Sequence, residues 1–145
     1  MKMLPFLITL GAIAVLLGIA AFTPYTFTAL PECRILVTNS AGKPVDNAEA
    51  YETGSYFEVG KHWAEKKVTD RNGMVMFPAR TARASLMQRA IAIIVMRSII
   101  HVPRSGPTGL VSVCDEGRYA EQDISPGKSD GNIKMVLVTG HCRRD

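Results

Sequence analysis

The chain has 145 residues, of which 47% are hydrophobic, and carries a formal net charge of +4. This length accommodates one domain of ordinary size together with one very apolar segment, rather than several domains. Lysine and arginine are scattered among acidic residues and no RNA-binding motif is present, so the composition argues against a nucleic-acid-binding protein.

The N-terminal segment from Leu4 to Phe22 contains no charged residue and follows Lys2. A helix of this length, at a rise of about 1.5 Å per residue, covers close to the hydrocarbon thickness of a bilayer. We therefore predict an export signal in residues 1–23, and its length favours a retained transmembrane anchor over a cleaved signal peptide. No basic residue follows before Arg34, which predicts a cytoplasmic N-terminus and a domain outside the cytoplasm, at the cell membrane. Cleavage would instead give a secreted or periplasmic protein.

Residues 24–32 are predicted to form a short extended tether that precedes a folded domain in residues 33–145. Tyr25 and Phe27 suit the headgroup level of a membrane, where amphipathic aromatic rings are enriched. The alternative is that these two residues already begin the folded domain.

The domain is predicted to open with two strands. Arg34–Thr38 is rich in β-branched residues and is followed by the turn-forming residues 39–44. In the second strand, Ala48, Ala50 and Glu52 alternate with their neighbours, so we expect them on one inward face.

The stretch Val68–Pro78 predicts a tight turn that joins two strands of one sheet. The Asp70 carboxylate can accept hydrogen bonds from amides ahead of it, and Asn72-Gly73 tolerates positive φ angles. Pro78 ends the pairing because it has no amide hydrogen.

Two of these motifs, Gly-Lys-Pro-Val-Asp-Asn-Ala at residues 42–48 and Thr-Asp-Arg-Asn-Gly-Met-Val-Met-Phe at residues 69–77, resemble the carboxypeptidase regulatory-like domain. The resemblance covers Cys33 to Pro78. It implies a transthyretin-like (prealbumin-like or Ig-like) β-sandwich, an all-β fold with seven strands by our count. Such domains are mostly noncatalytic modules that support a neighbouring domain or bind carbohydrate or protein.

Aromatic residues with polar neighbours mark the predicted connection Gly54–Lys67. Such residues are typical of a carbohydrate- or peptide-binding surface. The alternative is that the aromatic residues face inward from an irregular strand while the histidine faces out. The candidate binding residues here are Tyr56, Phe57, His62 and Trp63.

Apolar residues at helical spacing predict one inserted helix at about residues 82–99, with Ser85 and Gln88 at the spacing of a capping box. Its broad apolar arc permits burial on the sheet, or contact with a bilayer or another chain. In the second case Arg89 would be a further binding residue, together with Arg80, Arg83 and Arg97. A competing interpretation makes residues 91–96 a buried strand.

Three more strands are predicted at Leu110–Val113, Arg118–Ile124 and Ile133–Thr139. If they alternate in direction, Cys114 and Cys142 lie at the same end of the sandwich, which predicts a disulfide between them and leaves Cys33 free or joined to a second chain.

The sequence shows no Cys-x-x-Cys pair, no His-x-x-x-His helix and no nucleophile motif, so we predict neither a metal site nor a cofactor, and no enzyme activity. Two alternatives remain open. One is a small envelope hydrolase or metal-dependent enzyme that uses His101, Ser105 or His141, and the other is a purely structural subunit. The favoured hypothesis is a noncatalytic, membrane-tethered module outside the cytoplasm that binds another envelope protein or a glycan.

Overall fold

The computed structural model describes residues 3–100, 106–127 and 131–140. These residues form two α-helices and ten strands, together with one 3-10 turn and one π-helical turn. The elements are α1 Met3–Phe22, β1 Tyr25–Leu30, β2 Cys33–Thr38, β3 Glu49–Tyr56, the 3-10 turn Phe57–Val59, β4 Lys61–Val68, β5 Met74–Phe77, β6 Arg80–Ala84, α2 Leu86–Val95, the π turn Met96–Ile100, β7 Thr108–Asp115, β8 Arg118–Asp123, β9 Asn132–Val136 and β10 Val138–Thr139.

The strands form three sheets, and two of them enclose the main core. The five-stranded sheet has the order β10-β8-β7-β3-β4, the three-stranded sheet β5-β2-β9, and β1 pairs with β6 alone. The prediction of a mainly β fold with a layered core is confirmed. The buried residues shared by the two larger sheets include Cys33, Ile35, Val37, Ala50, Val75, Phe77, Val111, Val113 and Met135.

The predicted number of seven strands is wrong for the described residues, which contain ten. One extra strand is β1, which occupies most of the predicted tether 24–32. It pairs antiparallel with β6, so that Phe27 lies opposite Ala82. Pro24 and Pro31 flank this strand and do not interrupt it, and Ala29 is buried. Tyr25 and Phe27 therefore begin the folded domain.

The turn at Asp70–Gly73 has the predicted local chemistry but joins strands of different sheets. Asp70 Oδ1 accepts hydrogen bonds from the amides of Asn72 and Met74, both at 2.8 Å. However, β4 pairs with β3 whereas β5 pairs with β2, so the predicted same-sheet hairpin is wrong. The buried Thr69 side chain donates to the carbonyl of Val45 and accepts from the amide of Ala48. These bonds hold the end of β4 in the five-stranded sheet while the chain crosses to the other layer.

The inserted helix begins at Leu86, four residues later than predicted. Arg80–Ala84 is strand β6 because its alanines, Ala82 and Ala84, alternate with exposed residues and pack against β1. The Ser85 side chain accepts a hydrogen bond from the amide of Gln88 at 3.1 Å, which confirms the predicted cap. Because residues 91–95 are helical, the alternative of a buried strand is wrong.

Helix α1 has the predicted helical conformation, with large apolar side chains that are mostly exposed, such as Leu16, Leu17 and Phe22. In the part of the chain that the structure describes, no helix combines the length and apolar character that crossing a membrane requires, so the predicted transmembrane anchor is not confirmed.

We expect Gly73→Ala to destabilise the domain by about 2–4 kcal/mol, because φ is +70° there and a Cβ atom would lie 2.5 Å from the carbonyl oxygen of Val37. Gly42→Ala is the matched control: its φ is +76° but the space around it is open, so only the backbone cost of about 1–2 kcal/mol should appear. Urea unfolding followed by circular dichroism measures both. Equal losses would show that the close approach at Gly73 contributes nothing.

Candidate functional site

The predicted connection Gly54–Lys67 is instead a β-hairpin. Strand β3 continues to Tyr56, and β4 starts at Lys61 after a turn in which Gly60 has a positive φ of 62°. In its register, Gly54 lies opposite Trp63 and Ser55 opposite His62. Side chains alternate between the two faces along a strand, and cross-strand partners share a face. Because Tyr56 is buried, Gly54 and its partner Trp63 also lie on the inner face, whereas His62 lies on the outer face. The hairpin therefore divides the predicted binding residues between two surroundings.

Tyr56 lies inside the protein, in a cluster of aromatic rings around Arg89. Its side chain is buried, and its ring meets that of Phe27 edge to face with centroids 5.7 Å apart. The guanidinium of Arg89 lies 4.8 Å from the Phe27 ring centroid and 5.9 Å from that of Tyr56. Arg89 Nη1 also donates a hydrogen bond to the hydroxyl of Tyr25 at 2.8 Å. We name Tyr25, Phe27, Tyr56 and Arg89 the arginine–aromatic cluster.

The arginine–aromatic cluster holds α2 against β1 and β3. Burial raises the pKa of Tyr56, and the charge of Arg89 partly offsets this rise. Cation–π contacts of this kind contribute about 0.5–2 kcal/mol. In this structure Tyr56 and Arg89 thus serve internal packing, and neither is placed to meet a ligand at the surface, so their predicted binding role stays a prediction.

His62 and Trp63 line an open cleft of about 500 Å³ on the outer side of the five-stranded sheet, which we name the hairpin cleft. Phe57 is exposed beside it, and its ring meets that of His62 edge to face at 5.8 Å. The residues that line the cleft are Thr53, Gly54, Ser55, His62, Trp63, Thr108, Gly109, Leu110, Asp123 and Ser125.

Hydroxyl groups in the hairpin cleft are held by neighbouring strands. The Ser55 and Thr108 hydroxyl oxygens lie 3.1 Å apart across the β3–β7 pair. The Ser125 hydroxyl accepts a hydrogen bond from the amide of Gly109 at 3.2 Å, and its own amide donates to Asp123 Oδ1 at 2.9 Å. A hydroxyl that has one protein partner retains further hydrogen-bonding capacity, so these groups can also bind a polar ligand.

The Trp63 ring packs over Gly54, its cross-strand partner, on the inner face of the hairpin. A Cβ atom at Gly54 would lie 3.2 Å from the Trp63 ring and 2.9 Å from the carbonyl oxygen of Thr108. The indole therefore covers the backbone of Gly54, as aromatic residues do opposite strand glycines. Trp63 also packs against the main core and against a smaller buried group formed by Ala29, Tyr56 and Ala82, so its side chain belongs to the core.

A buried ionic group was not recognised in the sequence. Glu52, whose side chain is 1% exposed, forms an ion pair with Arg80, and Arg80 also pairs with Glu65 on the adjacent strand. The Arg80 hydrogen bond lowers the pKa of Glu65, and the Glu52 hydrogen bond raises that of Arg80. The inward position of Glu52 was predicted from the alternation in β3, but its ion pair with Arg80 was not predicted. Arg80 is thus engaged inside the domain and is not a surface cation for lipid headgroups.

Cys33 is free, as one of the two predicted alternatives had it, and is buried in the main core. Burial, together with the nearby Glu52 charge, raises the pKa of its thiol to about 11. Cys114 is also buried, but its predicted partner Cys142 lies outside the described residues. The Cys114–Cys142 disulfide therefore stays a prediction.

Within residues 3–100, 106–127 and 131–140, no group of three or more His, Cys, Asp or Glu residues could hold a metal ion. His101, Ser105 and His141, the candidates for the enzymatic alternative, lie outside these ranges. A scan against protein-family models and a search of curated proteins found no match to this chain. The resemblance to the carboxypeptidase regulatory-like domain therefore remains a prediction.

We expect Arg80→Ala to destabilise the domain by about 3–5 kcal/mol, because it leaves the Glu52 carboxylate buried without a partner. Arg34→Ala is the control, since Arg34 forms an exposed pair with Glu32 that should contribute only about 0–1 kcal/mol. The free energy of unfolding in urea measures both. If Arg80→Ala cost no more than Arg34→Ala, the Arg80 pairs would have no stabilising role.

We expect iodoacetamide at pH 8 to leave Cys33 unmodified in the folded protein and to alkylate it in guanidinium chloride, as read by mass spectrometry. Because the folded pKa of about 11 lies above the ordinary value of 9.0, the contribution of Cys33 to stability is complete below pH 9 and is lost as the pH rises towards 11. Cys33→Ala should remove this part of the pH dependence. Alkylation at the same rate in both states would contradict the burial of the thiol.

Proposed function

We propose that this protein is a noncatalytic binding module that acts outside the cytoplasm and binds a glycan of the cell envelope in the hairpin cleft. The observation that supports this most directly is the composition of the cleft. It combines hydroxyl groups from several strands and one carboxylate on a surface left open by the sheet, with the exposed rings of His62 and Phe57 at its rim.

Carbohydrate recognition needs these groups for physical reasons. Sugar hydroxyls are both donors and acceptors, so they match neutral hydroxyl groups such as Ser55 and Thr108 and the carboxylate of Asp123. Sugar ring faces carry apolar C–H groups, which pack on an exposed aromatic ring such as that of Phe57 beside the cleft. His62 is exposed at the rim and can donate or accept a further hydrogen bond.

The location outside the cytoplasm is supported by the uncharged segment Leu4–Phe22 after Lys2, which is typical of an export signal. Its exposed apolar side chains also favour attachment to a membrane. The resemblance of residues 33–78 to carboxypeptidase regulatory-like domains supports a module without catalysis, since those domains are mostly noncatalytic.

An envelope protein is the second candidate ligand. It is favoured by Phe57, which is 54% exposed next to His62 at the tip of the hairpin. An exposed aromatic ring at a hairpin tip is suited to serve as an anchor in a protein interface.

We expect the full chain, purified in detergent, to bind neutral oligosaccharides on a glycan array. Ser55→Ala and His62→Ala should each weaken binding about fivefold to tenfold, because each removes one hydrogen bond to the ligand. Lys66→Ala is the matched control, since Lys66 lies on the same strand and the same face as His62 but outside the cleft and should bind as the unmodified protein does.

Two results would overturn the glycan proposal. One is the absence of binding to every glycan on the array, and the other is binding that His62→Ala and Ser55→Ala leave unchanged. Loss of binding in Lys66→Ala would show that the site lies elsewhere on the outer face.

A further inference from the structure

Helix α2 leaves its apolar side chains uncovered. None of the residues Leu86–Val95 is buried, and Ile94 is 64% exposed. At about 100° per residue, the most exposed apolar residues fall within one half of the helix circumference. We name Leu86, Ile91, Ile94 and Val95 the α2 apolar face.

The orientation of this face is fixed by the opposite side of the helix. Arg89 lies in the other half of the circumference, where the arginine–aromatic cluster holds it through the Tyr25 hydrogen bond and the Phe27 ring. The cap at Ser85 fixes the start of the helix as well. The α2 apolar face is therefore held outward by contacts on the other side, instead of being left there by loose packing.

The α2 apolar face adjoins the apolar surface of α1. Phe22, at the end of α1, and α2 enclose an open hollow of about 520 Å³, to which Met87, Ile91 and Val95 contribute. Leu16, Ile19 and Phe22 of α1 are each more than half exposed. The two helices thus present neighbouring apolar surfaces next to each other.

The exposed charged residues next to α2 along the chain are of one sign. No acidic residue occurs between Asp70 and Asp115, whereas the exposed Arg83 and Arg97 lie before and after the helix. The acidic Glu58 lies in the 3-10 turn that packs against α2, but its side chain is buried. A helix with an apolar face that is flanked by exposed basic residues has the composition that favours the headgroup region of an anionic bilayer. A protein partner would need acidic groups for the same complementarity, and continuity with α1 favours the lipid surface.

We propose that α2 lies on the surface of an anionic membrane, with its apolar face at the boundary between headgroups and acyl chains and with Arg83 and Arg97 near lipid phosphates. The inference rests on the membrane attachment proposed for α1 and is independent of the hairpin cleft. It places the β-sandwich directly on the membrane surface through two contacts, α1 and α2.

The test measures the depth of single tryptophans in the full chain bound to vesicles. In a Trp63→Phe background, Ile94→Trp reports on the α2 apolar face, and Ala64→Trp is the control on the exposed outer face of β4. Vesicles contain phosphatidylglycerol and phosphatidylcholine, with or without brominated acyl chains that quench nearby indoles. Flotation measures vesicle attachment separately.

Brominated lipid should reduce the fluorescence of Ile94→Trp at least about twofold and leave Ala64→Trp almost unchanged, because an interfacial helix places its apolar side chains about 5–10 Å deep. Replacing both Arg83 and Arg97 with Gln should lower the quenching of Ile94→Trp while flotation persists.

The outcomes separate the two proposals. If the protein floats but Ile94→Trp is no more quenched than Ala64→Trp, membrane attachment stands and the role of α2 is overturned. If the protein does not float, both the membrane attachment of α1 and the placement of α2 on the membrane are overturned. If Ile94→Trp on floating vesicles is shielded both from brominated lipid and from aqueous iodide, the face is occupied by protein and the lipid proposal fails.

Discussion

The pairing of the buried Glu52 carboxylate with Arg80 is the constraint on which the arrangement of this domain depends. A carboxylate that is 1% exposed is tolerated only when a cation pairs with it. Arg80 begins β6, so this pairing fixes the start of the small sheet against the hairpin β3–β4. Strand β1 follows because it pairs with β6, and α2 follows because it is joined to β6 through Ser85.

The arginine–aromatic cluster positions helix α2 through a second arginine, Arg89. Arg89 is anchored by Tyr25 of β1 and Tyr56 of β3. Arg80 pairs with Glu52 of the same strand β3, and β1 pairs with β6, which Arg80 begins. One arginine therefore joins the small sheet to the main sandwich, and the other joins α2 to the small sheet. Because α2 is held in this way, its exposed half lies beside α1. The apolar surfaces of the two helices are therefore adjacent.

The hairpin separates internal packing from possible binding by the two-residue period of a strand. Tyr56 and Trp63 lie on the inner face, whereas Ser55 and His62 lie on the outer face, where β7 contributes Thr108. Gly54 allows the indole of Trp63 to approach the strand backbone on the inner face. The hairpin cleft thus combines residues from four separate stretches of chain. Even the two stretches that are closest in sequence, around Ser55 and His62, meet only through the register of the hairpin.

The sequence alone determined the features that depend on local chemistry. The mainly β character, the Asp70 turn, the Ser85 cap and the inward face of Ala48, Ala50 and Glu52 follow from backbone preferences and from the alternation of neighbouring residues. Only the tertiary structure decided which sheet each strand joins, since the crossing after Thr69 depends on hydrogen bonds to residues more than twenty positions away. The pairing of Arg80 with Glu52 and the composition of the hairpin cleft were likewise decided there, because charge complementarity and cross-strand register join residues that no local pattern relates.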